Sequence, residues 1–277
     1  MIKLSAIQLS SSPNVQDNLA TIERLMSQLP FAEQHIVVLP ECCLFFGGTD
    51  RAQLDLAKQD ATTNELKTGL SKLAKQYNVT LVAGSIPQYI EQQDKFYNTC
   101  CVFSGSGELL TQYHKMHLFD VDVNDSEKQY RESRYTEKGT SAITKTLDSL
   151  TLGLSICYDL RFPELYRHLT TLGAQVITVP AAFTKVTGKA HWLPLLQARA
   201  IENQVYIVAA GQYGVHDNGR ETWGQSVIIN PWGEVLSEIT QGVGTISADF
   251  DLDTLQSVRQ AIPVAQHNQF ITKIKTL

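Results

Sequence analysis

Cys157 stands at the end of Leu152-Gly153-Leu154-Ser155-Ile156, an apolar, partly β-branched run that reads as a buried strand. Phe162-Pro163-Glu164 then opens a helical pattern carried by Leu165, Leu169 and Leu172. The thiol therefore lies on a strand-to-helix bend. The backbone N–H groups that follow, beginning with that of Tyr158, point out of the bend, where developing negative charge can be received. Such a placement suits a nucleophile, although a free cysteine is as readily a small buried hydrophobe. Two other ionisable residues share it: Glu41, directly beyond the short apolar strand His35-Ile36-Val37-Val38-Leu39-Pro40, and Lys115, at the end of Tyr113-His114-Lys115. Strand ends along one edge of a sheet converge in space, and such edges hold the active sites of α/β proteins. A carboxylate beside the thiol can take its proton and return it to a leaving amine. An ammonium nearby favours the thiolate and donates to the oxyanion of a tetrahedral intermediate. Taken singly, Glu41 and Lys115 are more readily accounted for as solvated surface charges.

The elements that must hold these residues follow from hydrophobic periodicity. Strands are expected over Lys3–Leu9, His35–Pro40, Val79–Ile86, Phe96–Phe103, the return from the Gly105-Ser106-Gly107-Glu108 turn to Lys115, Ala142–Leu147, Leu150–Ile156, Gln175–Pro180, Val205–Ala210, Gln225–Ile229, Glu234–Ile239 and Thr245–Phe250. Helices are expected after Ser12-Pro13, with Leu19, Ile22, Met26 and Leu29 inward, and over Thr63–Tyr77, His191–Asn203 and Leu252–Ile262. Met116–Gly139 reads as a long charged loop, and Thr184–Lys189 as an exposed one. No linker, repeat or low-complexity tract divides the chain, so residues 1–277 are expected to form one α/β domain. Hairpins mixed with helix-linked strands favour a sheet sandwich with helices outside over a pure βαβ barrel.

Composition narrows the function classes. The chain has 277 residues, 43% of them hydrophobic, and a net charge of −5 without a dense Lys/Arg block, so neither nucleic acid nor an anionic membrane is an expected partner. No run approaches a membrane span and the N-terminus lacks a signal-peptide pattern. Five cysteines, Cys42, Cys43, Cys100, Cys101 and Cys157, make neither a disulfide framework nor a zinc site, which points to a reducing, cytoplasmic setting. Dinucleotide, P-loop and zinc-protease motifs are absent from the sequence, leaving those cofactor and metal routes without support. Adjacent cysteines are poorly placed for a low-strain disulfide, which weakens a redox-sensor reading.

Leu39-Pro40-Glu41, Tyr113-His114-Lys115-Met116-His117-Leu118 and Cys157-Tyr158-Asp159-Leu160-Arg161-Phe162-Pro163-Glu164 resemble, in order and spacing, the three signatures of the nitrilase (carbon–nitrogen hydrolase) superfamily. The resemblance covers about residues 3–265. It implies a four-layer αββα sandwich, two mixed sheets flanked by helices, and a catalytic set falling on Glu41, Lys115 and Cys157. It further implies a thioester intermediate, no metal and no organic cofactor, with the Tyr158 backbone N–H at the oxyanion. A second active-site glutamate matches Glu132, with Glu127 and Glu137 as competitors. The family commonly pairs subunits through the helix after the nucleophile, which implies at least a homodimer, with Trp232 and the Leu160–Leu172 helix as candidate interface. A non-catalytic interaction protein on the same fold is the rival class.

The expected substrate is a small anionic amide. Lys115, Arg161, Lys185, Lys189 and His191 fall in or beside the active-edge loops of an otherwise acidic chain, and gathered positive charge attracts anions. Arg161 can clamp a carboxylate bidentately, or can bond loop carbonyls. Phe183-Thr184-Lys185-Val186-Thr187-Gly188-Lys189-Ala190-His191-Trp192 resembles the corresponding segment of the omega-amidase and deaminated-glutathione amidase branches. By that resemblance Phe183 is an apolar wall and Thr187 a hydroxyl donor to substrate, alongside ordinary readings as core residue and helix cap. Pro163 and Arg131-Glu132-Ser133-Arg134-Tyr135-Thr136 lean toward the deaminated-glutathione side. Asn124-Asp125-Ser126 and Gln225 depart from both branches.

Overall fold

The computed structural model describes residues 2–123 and 129–275. The first half runs β1 (Ile2–Gln8), α1 (Val15–Met26), β2 (Gln34–Val38), α2 (Asp50–Thr63), α3 (Glu65–Tyr77), β3 (Thr80–Val82), β4 (Ile86–Ile90), β5 (Lys95–Phe103) and β6 (Leu109–His114). Short strands follow: β7 (Asp120–Asp122), β8 (Gln129–Arg131) and β9 (Thr136–Glu137). The second half runs β10 (Thr144–Thr146), β11 (Thr151–Leu154), α4 (Pro163–Thr171), β12 (Val176–Ala181), α5 (Lys185–Asn203) and β13 (Tyr206–Gly211). It ends with β14 (Tyr213–Val215), β15 (Glu221–Trp223), β16 (Ser226–Ile229), β17 (Val235–Ile239), β18 (Gly244–Phe250), α6 (Leu252–Ala261) and α7 (Val264–His267).

Two mixed sheets carry the fold. One has the order β18-β1-β2-β3-β5-β4, with β6 and β9 also on β5, and the other β10-β11-β12-β13-β16-β17. β1, β2 and β3 are parallel, as are β11, β12 and β13, with antiparallel strands outside each trio. Period-two alternation sorts the side chains. Leu4, Ala6, Ile36 and Val38 join the core shared with Leu152, Leu154 and Val176 of the other sheet, whereas Ile7, Val37 and Leu39 face Ile22, Leu66 and Leu70 of α1 and α3. Leu165 and Leu169 of α4 and Leu196 of α5 cover the second sheet. Helix, sheet, sheet and helix are thus stacked as an αββα sandwich. Among the described residues no helix is long and apolar enough to cross a membrane.

Several boundaries differ from expectation for local reasons. α1 is capped by Asn14, whose side chain accepts the N–H groups of Gln16 and Asp17, so Ser12-Pro13 lies before the helix. α2 is an additional helix, separated from α3 by Asn64 in the left-handed conformation (φ +52°). Leu172 is exposed, beyond the buried stripe of α4. The strand expected over Val79–Ile86 is two, β3 and β4. Between them Gly84 adopts φ +51°, and a Cβ there would lie 1.9 Å from the Pro40 carbonyl oxygen. Only glycine admits the chain leading to Glu41 so close. Finally, Thr184–Lys189 is not a loop: Thr184 is the N-cap of α5, and the helix starts at Lys185.

Candidate active site

Glu41 comes three residues after β2, Lys115 directly after β6 and Cys157 three residues after β11. The two sheets face each other, so these strand ends meet. The Lys115 ammonium lies 2.8 Å from Glu41 Oε1 and 2.9 Å from Glu132 Oε2, with its side chain 2% exposed. Asn98, in the middle of β5, donates to Glu41 Oε1 at 2.9 Å and to Glu132 Oε1 at 3.4 Å. The second oxygen of Glu41 accepts the Ala182 N–H at 2.9 Å, and the second oxygen of Glu132 accepts that of Phe119 at 2.7 Å. Cys157 lines the same cleft as Glu41 and Lys115, and both charges bear on its thiol. Glu137 instead pairs with Lys95 at 3.6 Å, and Glu127 lies outside the described residues, as do Asn124-Asp125-Ser126.

The charge states follow from this packing. Burial favours a neutral amine at Lys115, yet the carboxylates of Glu132 and Glu41 override it and hold the ammonium well above the ordinary lysine range. Burial raises the Glu132 carboxyl; Lys115 opposes the rise and Glu41 adds to it. Burial also pushes the Cys157 thiol well above its usual range, with Glu41 adding to the rise and Lys115 only partly offsetting it. The resting group is therefore a neutral thiol rather than the thiolate that a neighbouring ammonium alone would favour.

The Cys157 backbone is held under tension. Cys157 has φ +48°, a left-handed conformation that costs a non-glycine residue roughly 1–3 kcal/mol. Buried Asp159 holds the turn, accepting the Ile156 N–H at 2.8 Å and the Tyr113 hydroxyl at 2.7 Å on one oxygen. Its other oxygen accepts the His117 N–H at 3.1 Å and lies 2.7 Å from His117 Nδ1. Because Tyr113 and His117 flank Lys115, one carboxylate ties the nucleophile's turn to the segment carrying the ammonium.

Residues 3–260 match the carbon-nitrogen hydrolase family. The chain belongs to that family. It is 40% identical over 270 residues to the deaminated glutathione amidase of Synechocystis, covering 96% of this chain and 98% of that protein. It is 37% identical over 267 residues to omega-amidase NIT2-B of Xenopus laevis, covering 96% and 95% respectively. The crystal structure of the C. elegans NitFhit protein superposes with a TM-score of 0.90 at 33% identity, over 99% of this chain and 67% of that one. As a carbon–nitrogen hydrolase with amidase relatives, the chain presents Glu41, Asn98, Lys115, Glu132 and Cys157 in one cleft of ≈ 1030 Å³ of empty space, open mouth included.

The other expected residues divide in two. Tyr158, Phe183 and Thr187 line the cleft, together with Phe46, Tyr130 and Thr184. Arg161 stands behind that wall, its guanidinium 5.1 Å from the Phe183 ring centre and 3.3 Å from His191 Nδ1. Lys185 turns away to Glu221 at 3.0 Å, and neither it nor His191 lines the cleft. The cations that do line its outer part, Arg131 and Arg220, were not anticipated. Asn98 was also passed over, although an asparagine within the apolar run Phe96–Phe103 is itself a signal, since a buried amide needs partners.

Proposed function

We propose that this chain hydrolyses the amide of a small α-keto acid through a thioester on Cys157, with deaminated glutathione as the foremost substrate. The observation that carries the chemistry is one buried ammonium clamped between Glu41 and Glu132, with the Cys157 thiol in the same cleft. Glu41 takes the thiol proton as sulfur attacks the carbonyl carbon. Lys115 and the Tyr158 N–H hold the oxyanion, and losing one such donor typically costs about 10²–10³ in turnover. The C–N bond breaks and the amine leaves with the proton from Glu41. Glu41 then takes a proton from water, which attacks the thioester, and the acid departs as the thiol re-forms. Glu132 and Asn98 keep Lys115 and Glu41 in register through both halves.

The substrate follows from the relatives' activities and from the cleft. Deaminated glutathione joins the far carboxyl of 2-oxoglutarate to a Cys-Gly amine. For its keto-acid half we assign the wall formed by Phe183, Thr184 and Thr187, where α5 begins. Helix N-terminal N–H groups favour a carboxylate, and Arg161 behind the Phe183 ring adds positive potential. The second reading, an omega-amidase acting on 2-oxoglutaramate or 2-oxosuccinamate, is favoured by the identity to the Xenopus protein. Release of 2-oxoglutarate reports on both the glutathione-derived substrate and 2-oxoglutaramate, so kcat/KM on these two decides between the readings. A higher value for deaminated glutathione is expected, and an equal or reversed preference moves the assignment to the omega-amidases. Cys157→Ala should abolish both activities while leaving the thermal unfolding midpoint within a few degrees; a tenth of the parent rate remaining would refute the nucleophile. We place the reaction in a reducing compartment and in a homodimer.

A further inference from the structure

The chain turns sharply after Glu41. Cys42 has φ +54°, the left-handed region that non-glycine residues rarely adopt, and a residue stays there only when its surroundings over-determine it. The peptide unit joining Glu41 to Cys42 is gripped at both edges. Its carbonyl accepts a hydrogen bond from Gln212 Nε2 at 3.0 Å, and its N–H donates to Ser85 Oγ at 2.9 Å. Gln212 and Ser85 are both fully buried. Gln212 directly follows β13 of one sheet, and Ser85 lies between β3 and β4 of the other. One peptide plane is thus pinned between the two sheets, next to the carboxylate side chain.

The remaining bonds of the Gln212 amide fix its orientation. Oε1 accepts the Ser11 N–H at 3.0 Å. Nε2 also donates to Ser11 Oγ at 2.8 Å, which donates in turn to the Cys43 carbonyl at 2.9 Å. A backbone N–H only donates and a carbonyl only accepts, so a flipped amide would lose its partners. The Gln212 backbone N–H donates to the Ala181 carbonyl at 2.9 Å, and the next residue, Ala182, supplies the N–H that Glu41 Oε2 accepts. Gln212 therefore holds the Glu41 main chain directly, and also the strand end that meets its carboxylate. We propose that Gln212 and Ser85 are positioning residues for Glu41. By fixing the plane of the peptide that follows it, they keep its carboxylate aligned for the proton transfers of both half-reactions. This rests on the proposed amidase reading, in which Glu41 is the base, and deepens it. Neither residue lines the cleft, so neither is placed to choose between substrates.

The test is a double-mutant cycle read by 2-oxoglutarate release from deaminated glutathione and from 2-oxoglutaramate. Gln212→Met keeps the length of the side chain and removes its donor. It should lower kcat by about tenfold or more on both substrates with KM within about threefold, since misplacing a catalytic group by about 1 Å can cost about 10²-fold. In the Glu41→Gln background the same substitution should lower the residual kcat by less than about twofold, because no base remains to be positioned. Ser85→Ala should lower kcat by about threefold or more and likewise lose its effect once Glu41 is replaced. It carries the cycle alone if Gln212→Met does not fold. Losses of equal factor in both backgrounds, an unchanged kcat beside a lowered unfolding midpoint, or a loss confined to KM would make both residues merely structural and overturn the inference. A parent protein that hydrolyses neither substrate, or a Glu41→Gln variant as fast as the parent, ends the functional reading and this inference with it.

Discussion

Cys157 occupies a backbone conformation that side chains rarely adopt, and it lines one cleft with Glu41 and Lys115. The sign of its shift fixes how it must work. With the thiol held well above the usual range by burial and by Glu41, thiolate is a minor species near neutral pH and grows only as pH climbs. Alkylation of Cys157 in the substrate-free protein by iodoacetamide, followed by peptide mass spectrometry, should accelerate through pH 9 without levelling off. A plateau below pH 8 would mean a resting thiolate stabilised by Lys115. The other cysteines provide the contrast in access: Cys43, Cys100 and Cys101 are fully buried and do not line the cleft, so these three should label more slowly. Glu41→Gln should lower turnover by about 10²–10⁴, the usual worth of a positioned base, without a matching fall in alkylation.

At the scale of elements, β5 and β6 do more than fill a sheet. The Lys115 N–H donates to the Asn98 carbonyl at 2.9 Å, so the strand pair that aims the ammonium also aims the amide bridging Glu41 and Glu132. Hydrogen bonds to charged groups are worth about 1.5–3 kcal/mol. Asn98→Ala should accordingly reduce kcat by about ten- to a hundredfold with KM little changed. A lower unfolding midpoint with kcat intact would make Asn98 merely structural. These same strands show how far a sequence can be read. Alternation located β5 and β6, the apolar run located β11, and the residues just past β2, β6 and β11 are ones that meet in the cleft. Asn98 escaped because its partners lie 57 and 34 residues away, and no local pattern reports them. α2 escaped because only Leu54 and Ala57 anchor it, too few to mark an apolar face among its polar residues. The first turn of α5 was hidden by Val186, Thr187 and Gly188, poor helix formers held there by packing. Gly188 lies so near Trp223 that a Cβ would come within 2.3 Å of that residue's own Cβ.

On the scale of the whole molecule, the two sheets bury their chemistry between them and leave apolar surface on an outer helical layer. Ile201, on α5, is 52% exposed and Trp232 is 55% exposed. They belong to one patch, because the turn between β16 and β17 lies on α5. Gln197 donates to the Gly233 carbonyl at 2.9 Å, and a Cβ on Gly233 would come within 2.6 Å of Ile201. Large apolar side chains grouped on the surface mark interaction sites, and a second copy of the chain is the partner that the homodimer reading supplies. Light scattering at micromolar concentration should therefore give twice the chain mass. Trp232→Glu should shift it toward the monomer while leaving the fold intact, since exposed substitutions usually change stability by no more than about 0.5 kcal/mol. A parent protein that stays monomeric at tens of micromolar would remove the homodimer. A Trp232→Glu variant that remains dimeric would place the interface elsewhere, with the outer face of α4 around Leu172 as the next surface to change.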